Sequence, residues 1–546
     1  MKNIVLSILL MSACAMIYAQ AGSSPYQAIV AVDGSGDYKT VQEAINAVPD
    51  GQTKPWLILI KNGLYNEQVI IPKNKPYVHL IGQDKDKTII HLNLNVGSKL
   101  TGKEIGGKTA YWEHSVHNPS SPVYKYEGSV VVVKGDHFYT ENISYVNDWG
   151  VLSDNGPQAL AMNSQADCAS FYNCKFRSFQ DTWMTANNDV SRHYVKDCWI
   201  EGAVDYFYGS GDVLLENCTL YNVRSGAVIV APSHKNAKYG YAFRNCTIDG
   251  NSEAADGRLK LGRPWHNNSK TVYINTIMLI PVADEGWTNM GTVPGIFAEY
   301  NSRDAQGNVL DLSKRKTEYQ YKDRQTGKEV SGTCQATITK EEADKYTYEN
   351  MIPGNDEYMR VLTSYSDHNG KVKMMCLGHV LLEEHTPHGL GNHAVIITEP
   401  NKELMMRVKD LLEELHYVGF SNFDIKYDRR DGKFKFFEIN TRQGRSNYYV
   451  TGSGFNVAEY IVEDFVYGKE LPLRYAKEEH LWMVVPKAVA FKYVKDPALK
   501  AKMKKLIKEK KVVNPSFMKG DLGMPRLARM IKTHLSHFEK YKKYYS

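Results

Sequence analysis

Short apolar segments alternating with polar turns recur through residues 130–280: TENISY (140–145), YNCKF (172–176), KDCWI (196–200), ENCTL (216–220), RNCTI (244–248) and INTIM (274–278). Asn or Asp stands at 142, 173, 197, 217, 245 and 275, in steps of 31, 24, 20, 28 and 30 residues. Strand-forming segments at such a period predict a solenoid, a parallel β-helix whose coils bury a shared core. The Asn/Asp column is expected to form an internal amide ladder at a turn. Cys174, Cys198, Cys218 and Cys246 are expected to stack as free thiols inside. A β-sandwich with chance matches is the competing arrangement, and four NC or DC pairs in phase oppose it. Upstream, Val41, Ala44 and Ile45 have helical spacing and predict a helix over the solenoid's N-terminal end. Trp56–Ile60 and Val78–Ile81 read as strands of the first coils.

The pattern changes near residues 349–356. Beyond it strands alternate with a helix at 401–416, and Ser421–Tyr427 and Lys433–Asn440 flank an Asp431-Gly432 turn. This is an α+β pattern. From 498 onward the chain reads as a basic helical tail.

The chain's 546 residues call for two or three domains, and 42% hydrophobic with 23% charged residues suits a globular protein. The net charge of +6 is uneven: residues 501–546 carry thirteen Lys and Arg against three Asp and Glu, which leaves residues 1–500 at −4. The body is therefore no polyanion-binding surface, and no nucleic-acid partner is expected. At the N-terminus, Lys2, the apolar run Ile4–Tyr18 and Ala19-Gln20-Ala21 read as a secretory leader over 1–21. The run is short for a membrane span. Lipoprotein processing at Cys14 is the rival, and the expected location is secreted, periplasmic or cell-surface. The eight cysteines include no CxxC pair, which argues against zinc.

Asp181 and Asp205 each lie seven residues after a cysteine, Cys174 and Cys198. On successive coils, about 4.8 Å apart, they would stack on one face. Two such carboxyls do not both ionise cheaply, so the pair separates into an acid and a base or nucleophile.

Residues 25–352 resemble the pectin methylesterases, or pectinesterases. The motifs are Asp33-Gly-Ser-Gly-Asp-Tyr-Lys-Thr-Val-Gln-Glu-Ala-Ile45, Gly156-Pro-Gln-Ala159, Gln180-Asp-Thr182, Gly202–Gly209 and Leu261-Gly-Arg-Pro-Trp265. The resemblance implies a right-handed parallel β-helix and hydrolysis of pectin methyl esters, with methyl-esterified pectin as partner and no cofactor. It implies Asp205 as nucleophile, Asp181 as acid and base, Gln158 and Gln180 as oxyanion donors, and Arg263 as the ion-pair partner of Asp205. Phe207, Trp265 and Trp183 would stack on sugar rings. Trp183 departs from the family's usual Leu-Tyr pair, and Ser129-Val-Val-Val from its usual threonine-containing run. A non-catalytic pectin-binding solenoid and a pectate lyase are alternatives. A lyase needs acidic calcium sites and a basic proton abstractor, and the Gln/Asp/Arg set fits esterolysis better.

Residues 353–475 resemble the C-terminal part of ATP-grasp carboxylate–amine ligases of the D-aspartate ligase type, through Phe423-Asp-Ile-Lys-Tyr-Asp428 and Phe436-Phe-Glu-Ile-Asn-Thr-Arg-Gln-Gly-Arg-Ser-Asn447. This implies ATP and Mg2+, with Asp424, Glu438 and Asn440 as metal ligands and Arg442 on a phosphate. The phosphate-covering half of such a ligase should precede residue 353, where the solenoid stands, so the expectation is an inactive fragment. Pro353-Gly354 enters it without a linker, as in a join of two unrelated coding sequences or a fusion with a binding tail. The expected plan is thus a leader (1–21), a β-helix esterase (22–352), a truncated ATP-grasp subdomain (353–475) and a basic helical tail (476–546), with no stable membrane insertion, in a monomer.

Overall fold

The computed structural model describes residues 26–96, 129–152, 157–323, 325–347, 354–386, 389, 391–429, 432–517 and 523–545, with the backbone of two short strands, Glu104–Ile105 and Lys108–Thr109. The leader, Cys14 and junction residues 348–353 lie outside them. The chain divides into two compact units, Tyr26–Met351 and Ile352–Ser546.

The first unit is a parallel β-helix. Its coils contribute strands to three sheets of ten, nine and seven strands, all parallel. Each coil passes through the three sheets in turn, so a side chain at one position lies over its counterpart on the next coil. Val30, Ile58, Leu80, Ile143, Phe171, Ile200, Leu220 and Ile248 belong to one buried apolar interior. At the N-terminal end, helix Val41–Ala47 buries Val41, Ala44 and Ile45, the three residues with helical spacing. Its start is fixed by a capping box in which Thr40 accepts from the Glu43 amide and Glu43 accepts from the Thr40 amide.

The Asn/Asp column has a backbone cause. Asn142, Asn173, Asp197, Asn217, Asn245, Asn275 and Asn301 all have φ between 48° and 57°. Apart from Gly, Asn and Asp tolerate this left-handed conformation best. Side-chain bonds link neighbouring coils, from Asn173 Nδ2 to Asn142 Oδ1 (2.7 Å), Asn275 Nδ2 to Asn245 Oδ1 (3.2 Å) and Asn301 Nδ2 to Asn275 Oδ1 (2.8 Å). The expected internal ladder is instead an outer corner: Asn217 and Asn245 are exposed, because the left-handed residue turns its Cβ away from the core. The cysteine after each of four corner residues turns inward, and Cys174, Cys198, Cys218 and Cys246 are buried free thiols.

The second unit is α+β. Strands Met359–Ser366, Val372–Glu384, Asn392–Thr398, Gly419–Asp428 and Lys433–Asn440 form an antiparallel sheet. Helix Lys402–Glu414, capped by Asn401, buries Leu404, Met405, Val408 and Leu412 against it. The boundary expected at 475/476 is corrected here. Leu481–Met483 pairs antiparallel with Asn392–Thr398, and Val512–Val513 extends the sheet beyond it. Helices Lys487–Tyr493, Pro497–Lys508 and Met524–Tyr544 share a core with Leu381, Val395 and Leu481. The described residues of 476–517 and 523–545 thus pack at one edge of this sheet and are not an appended tail. Strands of two or three residues are too short to show a period of two.

Candidate active site

Asp181 and Asp205 stand at equivalent positions on neighbouring coils. Gln180 bridges Val204 and Trp183 pairs with Phe207, a constant offset of 24 residues that places Asp181 beside Asp205. The Asp181 amide donates to the Val204 carbonyl at 3.0 Å. Both aspartates are left-handed, with φ of 61° and 48°, and both are buried. Gly202 lies three residues before Asp205, and a Cβ there would meet the Tyr206 Cβ at 2.3 Å, so the absent side chain lets Tyr206 pack against the strand end.

Arg263, from the loop after strand Lys260–Gly262, grips Asp205 with two parallel bonds, Nε to Oδ1 at 2.8 Å and Nη2 to Oδ2 at 2.6 Å. Burial raises the Asp205 carboxyl above its usual range, and Arg263 opposes the rise. Burial weakens the Arg263 cation, but Asp205 and then Asp181 more than compensate and hold it charged. The guanidinium therefore senses both carboxylates.

Gln158 and Gln180 lie on adjoining coils, where the Ala159 amide donates to the Gln180 carbonyl at 3.0 Å. Both are half-buried, and neither side-chain amide bonds another side chain among the described residues. The strand after Gln158 is fastened from behind. Ser178 Oγ donates to the Ala159 carbonyl, and the fully buried Asn147 donates through Nδ2 to the Leu160 carbonyl at 3.0 Å.

Two of the three expected stacking rings are corrected. Trp183 and Phe207 are wholly buried in the solenoid core, edge-on to each other at 5.4 Å. Trp183 also donates from Nε1 to Ser164 Oγ at 3.0 Å. Rings that fill the interior cannot stack on a substrate. Trp265 does lie on the outer face, half-buried, and packs with Leu160, Met184, Tyr208 and Ala231. Its ring meets Tyr208 edge-on at 5.8 Å. Met184 and Tyr208 were not anticipated, although each directly follows a residue that was.

In the second unit, Asp424 and Glu438 are cross-strand partners, and Asn440 Nδ2 donates to Asp424 Oδ2 at 3.3 Å. These three and Arg442 line one cleft of about 570 Å3. His537, Lys540 and Tyr541, from helix Met524–Tyr544, line its other side. Two carboxylates and an amide are hard oxygen donors suited to Mg2+. No group of three or more His, Cys, Asp or Glu able to hold a metal occurs among the described residues.

Comparison with known proteins agrees with this division. D-aspartate ligase of Enterococcus faecium (strain Aus0004) is 39% identical over 202 residues in a region separate from the solenoid, covering 36% of this chain and 48% of the ligase. The chain thus spans about half the length of that relative. Pectinesterase 31 of Arabidopsis thaliana is 34% identical over 264 residues, covering 48% of this chain and 76% of its own length. A pectinesterase of Petunia integrifolia is 32% identical over 308 residues, covering 54% and 74%. The Pectinesterase family profile matches residues 27–110 and 103–355, more than half of the chain. The paired in-register aspartates and the arginine that clamps one of them lie within the matched residues, and the chain belongs to the pectinesterase family.

Proposed function

We propose that the solenoid hydrolyses methyl esters of pectin, releasing methanol and leaving a free carboxylate on the polysaccharide. The observation that carries this reading is the two-bonded grip of Arg263 on Asp205 with Asp181 in register beside it. Asp205, ionised and oriented, attacks the ester carbonyl carbon. The developing oxyanion is met by the amide N–H groups of Gln158 and Gln180, which are neutral donors suited to charge present only in the transition state. Asp181 gives a proton to the departing methoxide, and an anhydride links Asp205 to the sugar acid. Asp181, now a base, takes a proton from water. The hydroxide opens the anhydride and regenerates Asp205. The apolar patch of Met184, Tyr208 and Trp265 beside the carboxylates offers a surface for the sugar ring and the ester methyl. The expected leader would carry this activity outside the cell.

Methanol release from highly methylated homogalacturonan by the whole chain, beside Asp205→Asn, tests the reading. Release that vanishes in the variant supports it. Equal release from both, or none from folded wild type, would overturn it.

For the second unit, the shared cleft of Asp424, Glu438, Asn440 and Arg442 favours a retained binding site. Mg2+ would be held by the three oxygen donors and a phosphate by Arg442. Calorimetric titration with Mg·ADP, beside Glu438→Gln, tests it, and no heat of binding would dismiss it.

A further inference from the structure

Helix Met524–Tyr544 has two apolar faces, and the unit uses only one of them. Inward, His537 and Tyr541 are buried, and the Tyr541 hydroxyl donates to the Glu383 carbonyl at 2.7 Å. Outward, Met524, Ile531, Leu535 and Phe538 are 79%, 50%, 61% and 43% exposed. Spacings of 7, 4 and 3 residues align these four in a single stripe along the helix. Large apolar side chains exposed singly need no explanation, but four in line on one helix do. The helix carries six basic residues against one acidic, Glu539. Of the six, Lys540 turns back to Glu384 (3.3 Å). Arg526, Arg529, Lys532, Lys542 and Lys543 are exposed. At 100° per residue, Lys532, Lys543 and Arg529 flank the stripe on one side, which also carries the exposed Glu539, and Lys542 continues it.

An apolar stripe bordered by cations restricts the occupant. A second copy would bring two strongly basic helices together, so the like charges that flank each seam would oppose pairing. A nucleic acid or pectate chain would satisfy the cations but leave the aliphatic stripe in water. A surface with anionic groups above an apolar layer satisfies both. We propose that the outer face of helix Met524–Tyr544 docks on an anionic lipid surface, with the helix lying in the interfacial plane. No helix among the described residues is long and apolar enough to cross a membrane, so the contact is peripheral. Each basic side chain near such a surface strengthens binding by about fivefold at moderate salt.

The test is flotation of the whole chain with vesicles of phosphatidylcholine alone and of phosphatidylcholine with 30% phosphatidylglycerol. The expected result is binding to the anionic vesicles, weakening by tenfold or more on the zwitterionic ones or at high salt. Leu535→Asp should abolish binding, and Lys532→Glu should reduce it. Both positions are exposed, so folding is preserved, and circular dichroism verifies this. Failure of wild type to bind anionic vesicles would overturn the proposal, as would equal binding by Leu535→Asp. Concentration-dependent dimerisation lost in Leu535→Asp, without vesicle binding, would also overturn it and assign the stripe to a second copy.

Discussion

Arg263 and Asp205 are 58 residues apart in sequence and joined by two parallel hydrogen bonds of 2.8 and 2.6 Å. Burial raises the Asp205 carboxyl and Arg263 opposes the rise, so the arginine favours the ionised form of the proposed nucleophile. Replacing Arg263 by Ala should move the acid limb of kcat/KM to higher pH, since the buried carboxyl loses the cation that favours its charged form. Lysine should move it less, because charge survives while the planar fork is lost. At the wild-type optimum, Arg263→Ala should cost roughly two orders of magnitude, the scale of one preorganised charge contact. A pH–rate profile with an unmoved acid limb would contradict this.

Asp205→Asn removes the proposed nucleophile and should lower kcat by about three to four orders of magnitude with little effect on binding. Methanol release, read beside substrate affinity measured calorimetrically, separates the two effects.

Trp183 and Trp265 should respond in opposite ways. Trp183→Ala empties a core position and should cost about 3–5 kcal/mol of stability, visible as a lowered Tm. Trp265→Ala should leave Tm nearly unchanged and raise KM. Denaturation curves and kinetics on both variants check the contrast.

That contrast marks where the sequence was readable and where it was not. The coil period, the inward thiols and the in-register aspartates follow from spacing, because every coil repeats them. The facing of individual rings did not follow. A strict alternation counted from Asp181 and Asp205 puts Trp183 and Phe207 outside with the carboxylates. Both aspartates adopt positive φ, which interrupts the alternation and sends those rings inward, with Met184 and Tyr208 outward. The short edge strand Leu481–Met483 was hidden for another reason: three residues hold too little pattern to set it apart from the helices around it.

Acid should remove the stability that three buried histidines supply to the solenoid. His79, His193 and His234 are buried, which lowers their pKa to about 4, 4 and 3. The unfolded chain takes up protons below about pH 6.5, while the folded chain resists until near pH 4. Between those values these three histidines bind more protons in the unfolded state, so their contribution to stability rises with pH and is lost as pH falls from about 6.5 toward 4. Glu67, Glu141 and Asp212, whose carboxyls burial raises, act in the opposite direction. Stability measured across that window should rise less steeply with pH in His193→Gln than in wild type.

A chain ending at Met351 should keep its kcat/KM on methyl-esterified pectin, because every residue of the proposed esterase site lies in the unit Tyr26–Met351. Loss of activity in a folded truncated chain would mean that the second unit contributes to the reaction.

The column of free thiols at Cys174, Cys198, Cys218 and Cys246 gives this solenoid an internal gauge. Each sulfur belongs to a different coil, and none is reachable while its coil is closed. The rate at which a small alkylating reagent marks each cysteine therefore measures how often that coil opens. Read in order along the column, the four rates trace how breathing and fraying propagate through the stack, coil by coil.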